Sequence, residues 1–190
     1  MTYICNPMKT DIRNKIIKTA SELFYRNGYN STGINEIIEK AGIAKATLYN
    51  HFNSKDELCI SYLKHMNTEF LEKIQSYCSA KPKGKSQILA IFDFLGQFFM
   101  DKEFNGCWCI KTVGELPKDN VEIRNEIQRQ KQQFMDFISS LVQSNLKLKS
   151  KSDSTTRQIY LLYEGAVGES HLHQNEWPIV EAKKICSRLI

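Results

Sequence analysis

The chain has 190 residues, 42% of them hydrophobic and 25% charged, with only four prolines and nine glycines, a profile that allows a sizeable core and argues against a turn-rich β-protein. Its net charge of +5 favours a polyanionic partner only weakly, and residues 1–60 hold just eight Lys/Arg against six acids. No apolar run nears the roughly 18 residues of a membrane span, and Met1–Pro7 lacks the basic-then-apolar order of a secretory signal, so a cytoplasmic chain with no membrane partner is expected.

Apolar residues between Asp11 and Arg26 fall at Ile12, Ile16, Ile17, Ala20, Leu23 and Phe24, the stripe of an amphipathic helix. Asn27-Gly28 ends it. A short second helix is predicted over Ile34–Lys40, with Thr32 placed to cap its start. Ala41-Gly42-Ile43 is a turn, and a third short helix fits Lys45–Phe52. Ser54 followed by Glu57 forms a capping box that opens a fourth helix, carrying Leu58, Tyr62, Met66, Phe70 and Ile74 to about Tyr77. The stretch 79–85 is the most linker-like in the chain.

Beyond it, Ser86–Met100 is apolar on nearly every side, the pattern of a helix buried all round. Further helices are predicted over Cys107–Leu116, Val121–Leu146, Ser154–His173 and Glu176–Leu189, with Lys147–Asp153 a polar break. The sum is an all-α fold of about nine helices.

Two short helices around a glycine turn, braced by a longer helix on each side, match a helix-turn-helix. A groove-entering helix must be apolar on one side only. In the third helix Leu48 and Phe52 turn inward, leaving Lys45, Ala46, Thr47, Tyr49, Asn50 and His51 outward, a face rich in groups that bond phosphates and base edges.

The spacing of Gly28, Thr32, Ala41-Gly42, Leu48-Tyr49-x-His51-Phe52 and Lys55-x-x-Leu58, after Ile17-x-x-Ala20-x-x-Leu23-Phe24, resembles the DNA-binding domain of the TetR (tetracycline repressor) family. The resemblance implies that Thr32, Tyr49 and His51 contact phosphates and that Lys55 holds the DNA backbone. It implies that Lys45, Ala46, Thr47 and Asn50 face base edges. Where the family often has Ser or Thr at the cap of the recognition helix, this chain has Ala44, which forgoes a capping bond of about 1 kcal/mol. The implied organisation is a helix-turn-helix domain over 8–54 (motif 33–52) and an effector-binding and dimerisation domain over 55–190, linked through a fourth helix of about 55–78. The implied partners are double-stranded operator DNA, a small-molecule effector and a second copy of the chain. The implied mode is a repressor that binds a near-palindromic operator and is released by its effector.

The C-terminal part is rich in aromatics, which suits an apolar cavity. Phe92, Leu95, Phe99, Trp108, Lys111, Phe134, Phe137 and Tyr163 are its expected lining, with an apolar or aromatic effector. Asp93, Gln97, Glu115, Gln133 and Glu164 are further polar candidates around it. The last two helices offer Ile159, Leu162, Ala166, Val167, Ile179, Ala182, Ile185 and Leu189 as a dimer interface, by likeness to the four-helix interface of the family. Six cysteines are scattered without zinc-site spacing, so no metal and no cofactor is expected. Cys107 and Cys109 leave a thiol- or metal-responsive regulator as the alternative. No Gly-x-Ser-x-Gly, Walker loop or HExxH is present, and no catalytic residue is expected.

Overall fold

The computed structural model describes residues 7–146 and 151–190, and side chains from Asp11 onward within those ranges. Nine α-helices and no strand form among the described residues: α1 (Pro7–Asn27), α2 (Ile34–Ala41), α3 (Lys45–Tyr49), α4 (Lys55–Ser79), α5 (Lys85–Phe99), α6 (Trp108–Glu115), α7 (Val121–Asn145), α8 (Ser152–His173) and α9 (Trp177–Leu189). No described helix is long and apolar enough to cross a membrane.

The periodic stripe of α1 is the face it buries: Ile16, Ala20, Leu23 and Phe24 are all inside. Gly28 ends the helix with φ +92°, and its N–H returns to the Phe24 carbonyl at 3.0 Å, the closure that a residue without a Cβ permits. The α2–α3 turn closes by an Ile43 N–H bond to the Ile38 carbonyl. Ser54 accepts the Glu57 N–H at 3.0 Å. The Glu57 carboxylate reaches back to the N–H of Asn53 rather than of Ser54, at 2.8 Å, so the expected capping box holds with its return arm one residue early.

The chain divides into two compact units. The first comprises the chain up to Asn67 and Trp108–Ile127; the second comprises Thr68–Cys107 and Gln128–Ile190. The expected division at 54/55 is therefore not the structural one. In the first unit, α6 is tied to the α1–α2 region. The Asn30 N–H donates to Glu115 Oε2 at 2.6 Å and Asn30 Nδ2 to the Glu115 carbonyl at 2.9 Å. Lys111 Nζ donates to the Tyr25 carbonyl at 2.8 Å and lies over the Tyr25 ring. Asn120 joins the start of α4 through Asp56, at 2.7 Å.

In the second unit, α8 packs on α9 and both pack on α5. Its core holds Ile88, Ile91, Phe92, Leu95, Phe134, Ile138, Ile159, Tyr163 and Cys186. Helix α5 is not buried all round: Leu89, Phe94, Phe98 and Phe99 are half-buried, because only one face meets the helices packed on it. Helix α8 starts two residues earlier than expected, at Ser152. Of the predicted break at 147–153, residues 147–150 lie outside the described residues.

Candidate nucleic-acid interface

Helix α3 is short, five residues. Its helical hydrogen bonding continues past the last helical residue, with Asn50 N–H to the Ala46 carbonyl at 2.9 Å and Phe52 N–H to the Leu48 carbonyl at 3.0 Å. The expected segment 45–52 thus behaves as one rigid turn-and-a-half, although only Lys45–Tyr49 is regular helix. Leu48 and Phe52 are fully buried. Burying two such side chains contributes roughly 3–6 kcal/mol and fixes which face is left outside. Arg13 seals Phe52 from the other side, its guanidinium 4.9 Å from the ring.

Lys45, Ala46, Tyr49 and Asn50 are exposed, while Thr47 and His51 are half-buried. Six of the eight expected DNA-facing residues therefore share one accessible face of α3 and its following turn. No side chain caps α3 at Ala44.

The other two are placed differently. Thr32 is fully buried, and its hydroxyl lies 2.8 Å from the Gly28 carbonyl and 3.2 Å from the Leu23 carbonyl. That side chain ties the α1–α2 loop instead of facing solvent, and it does not cap α2, whose cap residue is Gly33 with no side-chain bond. Lys55 is half-buried, with Nζ 4.4 Å from the centre of the Tyr29 ring. Tyr29 in turn donates its hydroxyl to Asp56, and burial followed by that carboxylate pushes the phenol well above its ordinary range. The Tyr29–Asp56–Asn120 chain escaped the sequence reading because its members are far apart along the chain; the only local signal was an aromatic directly after Gly28.

A model of the bacterial regulatory proteins of the tetR family matches residues 16–61, the segment from the buried stripe of α1 through α2, α3 and the start of α4. The chain belongs to the TetR family. This TetR-family regulator is 23% identical over 133 residues to the fatty acid metabolism regulator protein of Bacillus subtilis, covering 70% of this chain and 67% of that one. Its fold is shared by a TetR-family transcriptional regulator from Streptomyces coelicolor, with TM-score 0.85, 23% identity and coverage of 94% of this chain and 88% of that one. It is also shared by the transcriptional regulator FadR from Bacillus subtilis, solved in complex with stearoyl-CoA, with TM-score 0.72, 20% identity and coverage of 93% and 97%.

The residues expected to line an effector cavity do not all come together in this TetR-family chain. Phe92, Leu95, Phe134 and Tyr163 are buried in the core of the second unit, with Phe99 and Phe137 packed against it. They fill that space with one another: the Phe134 and Tyr163 rings are 4.7 Å apart and Phe70 lies 5.3 Å from Phe134. Trp108 and Lys111 belong to the first unit, where burial lowers the pKa of Lys111. Of the polar candidates, Asp93 pairs with Lys183 and Glu164 with Lys131, and Glu115 holds Asn30. A surface depression of about 390 Å³ is lined instead by Glu72, Lys73, Ser76, Tyr77 and Phe94 on α4 and α5.

The expected interface residues also separate. Ile159, Ala166, Val167, Ile179 and Ala182 are buried inside the same chain, where α8 meets α9 and α5. Leu162 and Leu189 are half-buried, and Ile185 is exposed. The apolar groups that face outward are Leu161 (67% exposed), Leu172 (71%), Trp177, Val180 and Ile185. Gly165 and Gly168 fall between Leu161 and Leu172 with open space above them. Cys109 is buried and Cys107 half-buried. No group of three or more potential metal ligands occurs among the described residues.

Proposed function

We propose that this regulator is a homodimeric repressor that reads a near-palindromic operator with α3 and releases it when a small apolar or aromatic molecule binds the second unit. The observation that carries the DNA reading is the outward face of α3. Lys45, Ala46, Thr47, Tyr49, Asn50 and His51 stand over a base of Leu48 and Phe52 that admits only one orientation. Tyr49, Asn50 and His51 supply donors and rings for phosphates and base edges, and Lys45 supplies charge at the helix start. Lys55, steered by the Tyr29 ring, is placed to meet the DNA backbone. Thr32 serves this face by fixing the loop before α2.

Dimerisation through α8 and α9 is supported by the stripe Leu161–Gly165–Gly168–Leu172, whose spacing of four, three and four places it on one side of a helix. Two such stripes with small residues between large ones can approach closely, and Trp177, Val180 and Ile185 extend the apolar area on α9. An apolar effector is supported by the aromatic content of the second unit and by the stearoyl-CoA held by a relative of the same fold. The effector must bind the DNA-incompetent state more tightly than the competent one.

The test is DNA binding across a salt series, with the intergenic region upstream of the chain's own gene as probe. Saturable binding that weakens steeply with salt and is lost in a Tyr49→Ala, Lys45→Ala double variant is expected. Equal affinity for random DNA, or binding untouched by the double variant, overturns the assignment to α3.

A further inference from the structure

Cys107 lies in the second unit at the end of the turn that follows α5. The backbone there is pinned from two sides. Gly106 has φ +74°, and a Cβ in its place would stand 3.1 Å from the His171 ring, while Nε2 of that ring is 3.1 Å from Asn105 Oδ1. Beside the thiol stands an ammonium: Lys131 Nζ is 3.2 Å from Cys107 Sγ. The same Nζ is 2.7 and 2.6 Å from the two carboxylate oxygens of Glu164. An ammonium has three donors; two are aimed at Glu164 and the third reaches the sulfur. Lys131 and Glu164 each keep about a fifth of their side-chain surface exposed, and Cys107 is half-buried, so a small reagent can reach the sulfur while water is thinned around it.

The remaining described cysteines contrast with this one. Cys59, Cys78, Cys109 and Cys186 are buried. Burial pushes the Cys78 thiol up to about 12 and the Cys186 thiol up to about 11, and drives Cys59 higher still. Thiolate, not thiol, is the nucleophile, so these positions are quiet. Only at Cys107 does a cation stand at hydrogen-bond distance from a sulfur with partial access.

We propose that Cys107, with Lys131 as positioning residue and Glu164 anchoring that lysine, is a covalent modification site for soft electrophiles of the α,β-unsaturated carbonyl class. The Lys131 ammonium favours negative charge on Sγ. Sγ attacks the β-carbon and forms the S–C bond, and the π pair of the C=C bond moves onto the carbonyl oxygen as an enolate. The enolate takes a proton at its α-carbon from the Lys131 ammonium, which recovers the one the thiol gave up. The net change is addition of S–H across C=C, with no oxidant or reductant. The adduct takes the sulfur out of reach of Lys131 at the residue immediately preceding α6, where the chain passes from the second unit to the first.

The experiment uses the full chain and methyl vinyl ketone at limiting concentration and neutral pH, with adducts located and timed by peptide mass spectrometry. Cys107 is expected to react at least about tenfold faster than Cys78 or Cys186 in the folded protein. It is expected to react about threefold or more faster folded than in denaturant, because activation by Lys131 outweighs the lower nucleophilicity of a stabilised thiolate, whereas the buried thiols do the opposite. Lys131→Met should slow Cys107 several-fold and Lys131→Arg should restore most of the rate. Folded Cys107 reacting no faster than denatured Cys107 overturns the proposal, and that comparison needs no variant to fold. A wild-type rate in Lys131→Met, with Cys78 and Cys186 still protected, overturns it equally.

Discussion

Tyr49 is about half exposed on a helix whose inward residue, Leu48, is sealed from solvent, so its removal should touch DNA and not folding. A Tyr49→Ala variant is expected to keep its melting temperature within the small range of surface substitutions while operator affinity falls about tenfold or more; calorimetry and a binding titration on the same preparation separate the two. Thr32 predicts the reverse. Its hydroxyl is buried against the Gly28 and Leu23 carbonyls, so Thr32→Val should cost about 1–3 kcal/mol of stability by leaving those acceptors dry, and Thr32→Ser should recover much of it. Chemical denaturation checks both. Gly28 is the most constrained single position, because it combines a left-handed φ with a Cβ direction blocked by the Glu115 carboxylate. Gly28→Ala is expected to destabilise the chain by about 1–3 kcal/mol. Neither the buried role of Thr32 nor the crowding at Gly28 could be read from the chain: a threonine before a helix looks like a cap until its carbonyl partners are seen.

At the scale of elements, helix positions were largely legible because apolar residues recur at the helical period and because Gly28, Gly42 and Pro117 punctuate the chain. The outward face of α3 followed from the same logic, since two inward residues three or four apart leave little freedom for the rest. The attachment of α6 was not legible. Asn30 and Glu115 are 85 residues apart, and neither residue type announces a partner. This tie supports a prediction at its own scale: Glu115→Ala removes the acceptor for the Asn30 N–H and should loosen the α1–α2 loop, raising amide hydrogen exchange at residues 28–33 while α8 and α9 stay unchanged. The same limit explains the effector lining, where aromatics that suggested a cavity are the packing itself.

At the scale of the molecule, the interface residues show why apolar pattern underdetermines assembly. Helix α8 carries two apolar faces, Ile159–Tyr163–Ala166–Val167 and Leu161–Leu172, and the sequence does not say which meets α9 and which meets something else. The structure spends the first face within the chain. Replacing Leu161 and Leu172 together with glutamate is therefore expected to yield a monomer by light scattering with its helical content intact, and to weaken operator binding by more than any single change on α3 short of unfolding, since both half-sites would have to be held independently. A dimeric mass in that variant would move the interface elsewhere.

The tie between Glu115 and Asn30 also sets an order of events at the ribosome. The first unit is assembled from two pieces of chain separated by about forty residues that belong to the second, so α1 to α3 emerge long before the helix that braces them exists. At roughly 5–20 residues per second, the sixty residues from Thr68 to Ile127 take about 3–12 s to be made. During that interval the nascent helix-turn-helix lacks its brace, and a transcript cut short within it would release a DNA-reading segment with Gly28 and Asn30 facing water instead of Glu115.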